Sequence, residues 1–262
     1  MPFSAYLDGK REDCRELVQA LSKRFQYVSV LGTDVMATVI RADRKSSMVQ
    51  DGRGECGFVV KMHDGRAFFE YSLDDISGDK EALAERIVQA VQADPSLKTR
   101  MIETSVLQDE PMKRDFVRES DFADYNDEAL LNTCKELSQE LLQKDERVLN
   151  AIAMVQPYTV SKLFVTRNRE LSQHYAWANG YLMVVYGGDK MVQARHVEGS
   201  DQMKEIIETL KIKTDDVIEL AKHLTKAQPI TPGVYDVITD SSITGNTTTT
   251  TTQVGAGNIT DT

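Results

Sequence analysis

The sequence predicts an α+β protein in which antiparallel sheets carry packing helices. Three observations predict it. Apolar residues recur at helical spacing in several separate stretches, short β-branched and aromatic runs lie between them, and Gly, Asn and Asp stand at the breaks. Cys14, Leu17, Val18, Leu21 and Phe25 place an amphipathic helix over about Lys10 to Phe25. Tyr27 to Leu31 and Val35 to Ile40 then read as a hairpin turning at Gly32 and Asp34. A second hairpin pairs Gly57 to Met62 with Arg66 to Tyr71 through His63-Asp64-Gly65. Ser77 is the expected cap of the next helix, whose stripe is Leu83, Ile87, Ala90 and Val91 and whose stop is Asp94-Pro95.

Residues 95–125 are rich in charge and poor in periodicity, so they read as an irregular or partly helical surface connection that carries no site. Asn126 caps a helix to about Lys144 with Leu130, Cys134, Leu137 and Leu141 on one stripe. Five strands are expected next, as a second antiparallel sheet: Val148 to Val155, Val160 to Thr166, Leu171 to Trp177, Tyr181 to Tyr186 and Met191 to Val197. Their turns fall at Asn168, at Ala178-Asn179-Gly180, where Asn-Gly is the strongest signal, and at Gly187-Gly188-Asp189. Two short helices follow, one carrying Met203, Ile206, Ile207 and Leu210, the other capped by Thr214 and carrying Val217, Leu220, Ala221 and Leu224. Pro229 and Pro232-Gly233 introduce a last strand, Val234 to Ile238. The stretch 246–262, with its six consecutive threonines, has no apolar period and is expected to be disordered.

Composition narrows the function. At 262 residues, 41% hydrophobic and 27% charged, the chain has the makeup of a soluble globular protein. Three widely spaced cysteines without a C-x-x-C argue against both a disulfide framework and a zinc knuckle, and with no signal peptide or apolar run of membrane length the expected location is the cytoplasm. A net charge of −10 repels a phosphate backbone, so nucleic acid is not an expected partner, and without an apolar run of membrane length neither is a membrane.

Catalytic chemistry is hard to find. The four histidines, His63, His174, His196 and His223, are too far apart in sequence for an H-x-x-x-H pair and read as structural. Cys14 and Cys134 fall on helix stripes as core residues. Cys56 is the more accessible thiol, blunted by the carboxylate of Glu55 beside it. Asp74-Asp75 and Asp215-Asp216 stand where helix starts attract acids. There is no nucleophile elbow, P-loop or dinucleotide fingerprint, and the sequons at Asn246 and Asn258 are chance matches. No catalytic, metal or cofactor residue is therefore assigned.

Three stretches taken in order resemble the TldD/PmbA metalloproteases, also described as modulators of DNA gyrase. These are GFVVKMHDGRAFFEYS (57–72), LFVTRNRELSQHYAWANGYLMVVYGGDKMVQARHVEGS (163–200) and PGVYDVITDSSITG (232–245). The resemblance covers nearly all of residues 1–245. It implies the N-terminal α/β domain of a cytoplasmic zinc peptidase acting on peptides or unfolded proteins, commonly as a pair of related subunits. In that family a Pro-Gly strand leads into a helix with H-E-x-x-x-H, whose histidines bind zinc and whose glutamate is the general base. No residue after Gly245 matches it.

The resemblance thus divides the chain into a TldD/PmbA-like domain (1–228), the first strand of a missing catalytic domain (229–245) and a tail (246–262). Zinc belongs to the intact family and not to this chain. One expectation is a truncated or frame-shifted member, since CAC histidine codons read one base out of frame become ACC threonine. A second is a binding module like the family's zinc-free subunit, with sheet edges open to strand addition. An unrelated α+β protein is the third.

Overall fold

A computed structural model of the chain describes residues 2–52, 54–93, 103–188, 190–229, 231–234 and 236. Contacts divide it into two compact units, Met1–Lys226 and Ala227–Thr262. In the second unit the described residues form neither helix nor strand; of the expected strand at 234–238 only Val234 and Asp236 are described, and the tail 246–262 and the Asp94-Pro95 stop lie outside the described residues.

The first unit opens with α1 (Ala5–Gly9) and α2 (Arg11–Leu21), followed by β1 (Tyr27–Ala42), β2 (Ser47–Asp51), β3 (Glu55–His63) and β4 (Phe68–Leu73). After α3 (Lys80–Ala93) come β5 (Met112–Val117), a short 3-10 turn at Phe122–Asp124, and α4 (Asp127–Lys144). The chain then runs through β6 (Val148–Thr166), β7 (Arg169–Tyr186), β8 (Val192–Ser200), α5 (Met203–Ile212) and α6 (Thr214–Lys226). The α+β class holds, with helices packed on a largely antiparallel sheet. Among the described residues no helix is long and apolar enough to cross a membrane.

There is one sheet where two were expected. It has eight strands in the order β4-β3-β1-β6-β7-β5, with β2 beside β1 and β8 beside β7. Residues 27–42, expected as a hairpin, form one strand. Gly32, Thr33 and Asp34 pair with Phe58, Gly57 and Cys56 of β3 on one side and with Leu163, Lys162 and Ser161 of β6 on the other. Ladder bonds to two neighbours outweigh local turn propensity. The expected strands 148–155 and 160–166 likewise join into β6, which carries Pro157 through its middle. Proline donates no ladder bond, and the pairing of β1 with β6 skips from Ala37 to Ile40 opposite it. Residues 171–177 and 181–186 merge into β7 through Ala178-Asn179-Gly180. Residues 112–117, expected to be irregular, form β5, which pairs with β7 in parallel and makes the sheet mixed.

The caps follow the same division between local and tertiary control. Asn126 accepts from the Ala129 N–H at 2.8 Å, as expected of an N-cap. Asp79, not Ser77, caps α3, accepting from Glu81 and Ala82, while Ser77 bonds Asp75 and Lys10. Thr214 is the first residue of α6, buried, and donates to Glu140 at 2.8 Å.

Two apolar clusters lie along the sheet. One joins α1, α2 and α3 to β3 and the near halves of β1 and β6; the other joins α4, α5 and α6 to β7, β8 and their far halves. The strand residues feeding them, such as Val30 and Ile40 of β1 or Val155 and Leu163 of β6, share one alternating set of positions. Side chains alternate across a strand, so every described helix packs on the same face.

Candidate functional site

A polar row crosses the helix-covered face between the two clusters. Register sets Cys56 of β3 opposite Asp34 of β1, Asp34 opposite Ser161 of β6, and Ser161 opposite His174 of β7. The N-terminal segment closes over the row. The Ser4 hydroxyl donates to Asp34 at 2.6 Å and accepts from the Leu7 N–H at 3.1 Å, capping α1, while the Ser4 N–H donates to the Ser161 hydroxyl at 3.1 Å. Ser161 Oγ lies 2.9 Å from His174 Nδ1. A serine against a histidine with an aspartate nearby has the composition of a nucleophile with its base, but not the arrangement. Asp34 is bound to Ser4, and Ser161 and His174 are only 4% and 5% exposed beneath the Ser4 backbone. The row anchors the N-terminus and satisfies polar groups inside the sheet.

The remaining candidates are separated from one another. His63 Nδ1 accepts from the Gly65 N–H at 2.9 Å and its Nε2 faces the Thr104 carbonyl at 3.0 Å, which fixes the β3–β4 turn. Gly65 makes that turn possible with φ of +103°. His196 sits 3.7 Å from Glu198, and burial lowers its pKa. His223 lies in the last turn of α6. Burial pushes Cys14 and Cys134 up to about 12, as core thiols should behave. Cys56 is exposed, and burial of its sulfur followed by Asp34 across the ladder raises it; the carboxylate responsible is not the adjacent Glu55.

The Lys10 ammonium at 2.7 Å and Ser77 hold Asp75 down to about 2, in the loop ahead of α3 and not in its first turn. Asp215 and Asp216 do open α6, bound to Lys144 and Lys213 at 2.7 Å each. Among the described residues no three His, Cys, Asp or Glu side chains gather as metal ligands, so the zinc that the resemblance implies for the intact family finds no fitting donor set here.

A cleft of about 920 Å³ lies where α2 meets the β6–β7 turn and the start of β5. Its lining carries five cations, Arg15, Lys23, Lys113, Arg167 and Arg169, against the single acid Glu170. Burial works to raise the Glu170 carboxyl, but Arg15 and Arg11 hold it below its ordinary value. Lys113 reaches that carboxylate only at 3.6 Å, and Arg167 touches the Ser22 carbonyl at 3.4 Å. Most of these cations are already paired, Arg15 with Glu12 and Glu170, Lys23 with Glu81, Lys113 with Glu170 and Arg169 with Asp109, and Val18, Val165 and Met112 form the apolar part of the cleft. Its hydroxyl Thr166 donates to Asp109 and its carboxylate Glu170 is held by Arg15 and Arg11, while Arg167 offers a guanidinium to an anionic group.

Sequence reasoning did not place a site in either region. The Ser161–His174 contact was within reach, because the two residues stand at equal distance from the Arg167-Asn168 peptide at the turn. The Asp34–Ser4 and Ser4–Ser161 contacts join segments 30 and 157 residues apart and leave no local trace.

One eight-stranded sheet with two helical clusters on a single face is a fold similar to that of TldE and of candidate modulators of DNA gyrase. The individual resemblances are structural. A candidate modulator of DNA gyrase from Bacteroides thetaiotaomicron is similar with a TM-score of 0.62 and 17% identity, over 82% of this chain and 50% of that one. A second candidate modulator of a DNA gyrase, from Thermotoga maritima, gives 0.58 and 15% over 85% and 50%. TldE from Thermococcus kodakarensis gives 0.55 and 14% over 82% and 47%. The chain thus spans about half the length of these structures. No family model and no curated protein matches the sequence.

Proposed function

We propose that the chain is a non-catalytic portion of a TldD/PmbA-type zinc metallopeptidase, corresponding to its N-terminal domain. The observation that carries this reading is the pairing of that fold, at half the relatives' length, with described residues that assemble neither a metal set nor an open nucleophile. Proteolysis of peptides or unfolded proteins then belongs to the intact protein, where bound zinc would activate the attacking water. A related subunit is the expected partner and the cytoplasm the expected location. Elemental analysis and a peptide-cleavage assay on the purified chain test the reading. It expects no stoichiometric zinc and no turnover; one zinc per chain, or cleavage that a chelator abolishes, would overturn it.

The basic cleft favours a second reading, a binding module for peptides. Arg167 and Lys113 would take a carboxylate while Val18, Val165 and Met112 take apolar side chains. Fluorescence anisotropy of a labelled acidic peptide should report weak, salt-sensitive binding that Arg167→Glu with Lys113→Glu removes. Binding that the double variant leaves intact would place the peptide elsewhere.

A further inference from the structure

β5 stands at one edge of the sheet, and among the described residues nothing pairs with its outer side. Backbone groups alternate sides along a strand. The Met112 N–H donates to the Asn168 carbonyl at 3.1 Å and the Arg118 N–H to the His174 carbonyl at 3.0 Å, so the even-numbered residues face β7. The N–H and C=O groups of Lys113, Asp115 and Val117 therefore face outward, free to take another strand. All six side chains are exposed, Met112 at 46%, Phe116 at 40% and Val117 at 69%.

This edge is fixed at both ends. Ahead of it, Asp109 accepts from the Thr166 hydroxyl and Arg169 donates to the Glu110 carbonyl at 2.9 Å. Beyond it, Arg118 pairs with Asp201, and Gln202 donates to the Glu119 carbonyl at 3.4 Å. A strand held in this way pays little ordering entropy when a second strand joins it.

The side chains say what that strand carries. Met112, Arg114 and Phe116 share one side, opposite Arg169, Leu171 and Gln173 of β7 and away from the helices. Arg114 lies over the Phe116 ring at 4.6 Å and forms no ion pair with a described residue. An added strand thus meets an apolar, cationic, apolar series at every second position, which matches a carboxylate with an apolar residue two positions away on each side. A second copy of β5 does not match. Paired about a two-fold axis at the registers of greatest overlap, it would set Arg114 against Arg114 or Asp115 against Asp115, and like charges directly opposite are destabilising.

We propose that β5 binds an extended acidic peptide by antiparallel strand addition, with a carboxylate opposite Arg114 and apolar residues opposite Met112 and Phe116. The proposal rests on the peptide-binding reading above and gives that peptide its main-chain template and its pattern, apolar-x-acid-x-apolar. The cleft is lined by Pro111, Met112 and Lys113, so it continues from the start of this edge.

The test is fluorescence anisotropy of the full chain with a labelled peptide, TVTETVT, blocked at both ends so that glutamate carries its only charge. With that glutamate opposite Arg114, the third and fifth peptide residues bond the backbone of Asp115 and Lys113, while the second and fourth turn their N–H groups to solvent. N-methylation of the third and fifth should weaken binding at least about tenfold, and of the second and fourth by no more than about twofold. Arg114→Glu should weaken it about tenfold with circular dichroism unchanged, and a peptide with lysine in place of glutamate should bind that variant in its stead. A charge exchange that restores nothing counts against the proposal. Equal effects of the two methylation patterns overturn strand addition; if Arg167→Glu with Lys113→Glu still removes binding, the cleft reading stands without it. No binding of any peptide up to about 1 mM overturns both. Self-association of the free chain that Arg114→Glu removes would give the edge to a second copy and overturn the proposal.

Discussion

Gly180 sits mid-strand in β7, where its Asn-Gly dipeptide suggested a turn. A Cβ there would lie 2.6 Å from Ile206 Cγ2 and 3.1 Å from Leu210 Cδ1, so the glycine serves the close approach of α5 to the sheet and not a reversal of the chain. Gly180→Ala should cost about 1–3 kcal/mol in urea unfolding through overpacking against a β-branched methyl. A neutral or stabilising result would mean that α5 shifts freely. Tyr186 makes a second residue-scale case. Its hydroxyl donates to Asp145 at 2.7 Å and the Arg147 guanidinium lies over its ring. Burial, then the bond to Asp145, pushes it up from 10.0 to about 12. The folded state therefore holds this proton after the unfolded chain has lost it, and stability falls as pH rises between about 10 and 12. Tyr186→Phe should flatten that alkaline slope while lowering stability at neutral pH by about 1 kcal/mol through the lost hydrogen bond. An unchanged slope from pH 10 to 12 would assign the alkaline loss to other groups, such as Cys14 and Cys134.

At the scale of the element, helices obeyed the sequence more closely than strands. The stripes of α2 and α4 and most of that of α5 were visible in the 3.6-residue period, because a helix makes its backbone bonds within itself and needs only one buried side, whereas on α6 the expected Leu220 is exposed and Ile218 is buried instead. Their caps separate by the same logic. Asn126 is local and legible, whereas Ser77 was drawn off by Lys10, a residue 67 positions away, and left Asp79 to cap α3. Asn126→Ala should then lower stability by about 1 kcal/mol. Ser77→Ala should leave the helix content of α3 unchanged by circular dichroism, where Asp79→Ala reduces it. Equal effects of the two substitutions on α3 would restore Ser77 as the cap. Strands were broken too often in the sequence reading: Gly32 and Asn179-Gly180 each signal an end and each is carried through by partners on both sides of a central strand, while the gap left between 155 and 160 is bridged by the pairing of Gln156 and Pro157 with β7.

The whole molecule couples two cores through shared strands. Val30 and Ile40 on β1, and Leu163 and Val155 on β6, belong to different clusters yet to the same two strands. Leu17→Ala in one cluster and Leu210→Ala in the other, both fully buried, should each cost about 2–5 kcal/mol and move one common unfolding transition. Two transitions, each answering to one substitution, would show that the clusters unfold separately.

The sequence by itself determined the α+β class, the positions of α2 to α6 with the buried stripes of α2 and α4, the core placement of Cys14 and Cys134, and the order of elements that resembles the TldD/PmbA fold. These follow from local periodicity and from which side chains avoid water. It did not mark α1 or the inward Ala84 and Val88 of α3. Tertiary structure alone decided that the strands form one sheet, that Asp34, Ser4, Ser161 and His174 meet on it, that residues 112–117 join its edge, and that its other face is left without a described helix. The physical reason is the range of the interactions. Register between distant strands is set by ladder bonds and packing across the sheet, and a residue's local signal says nothing about which strand will lie beside it.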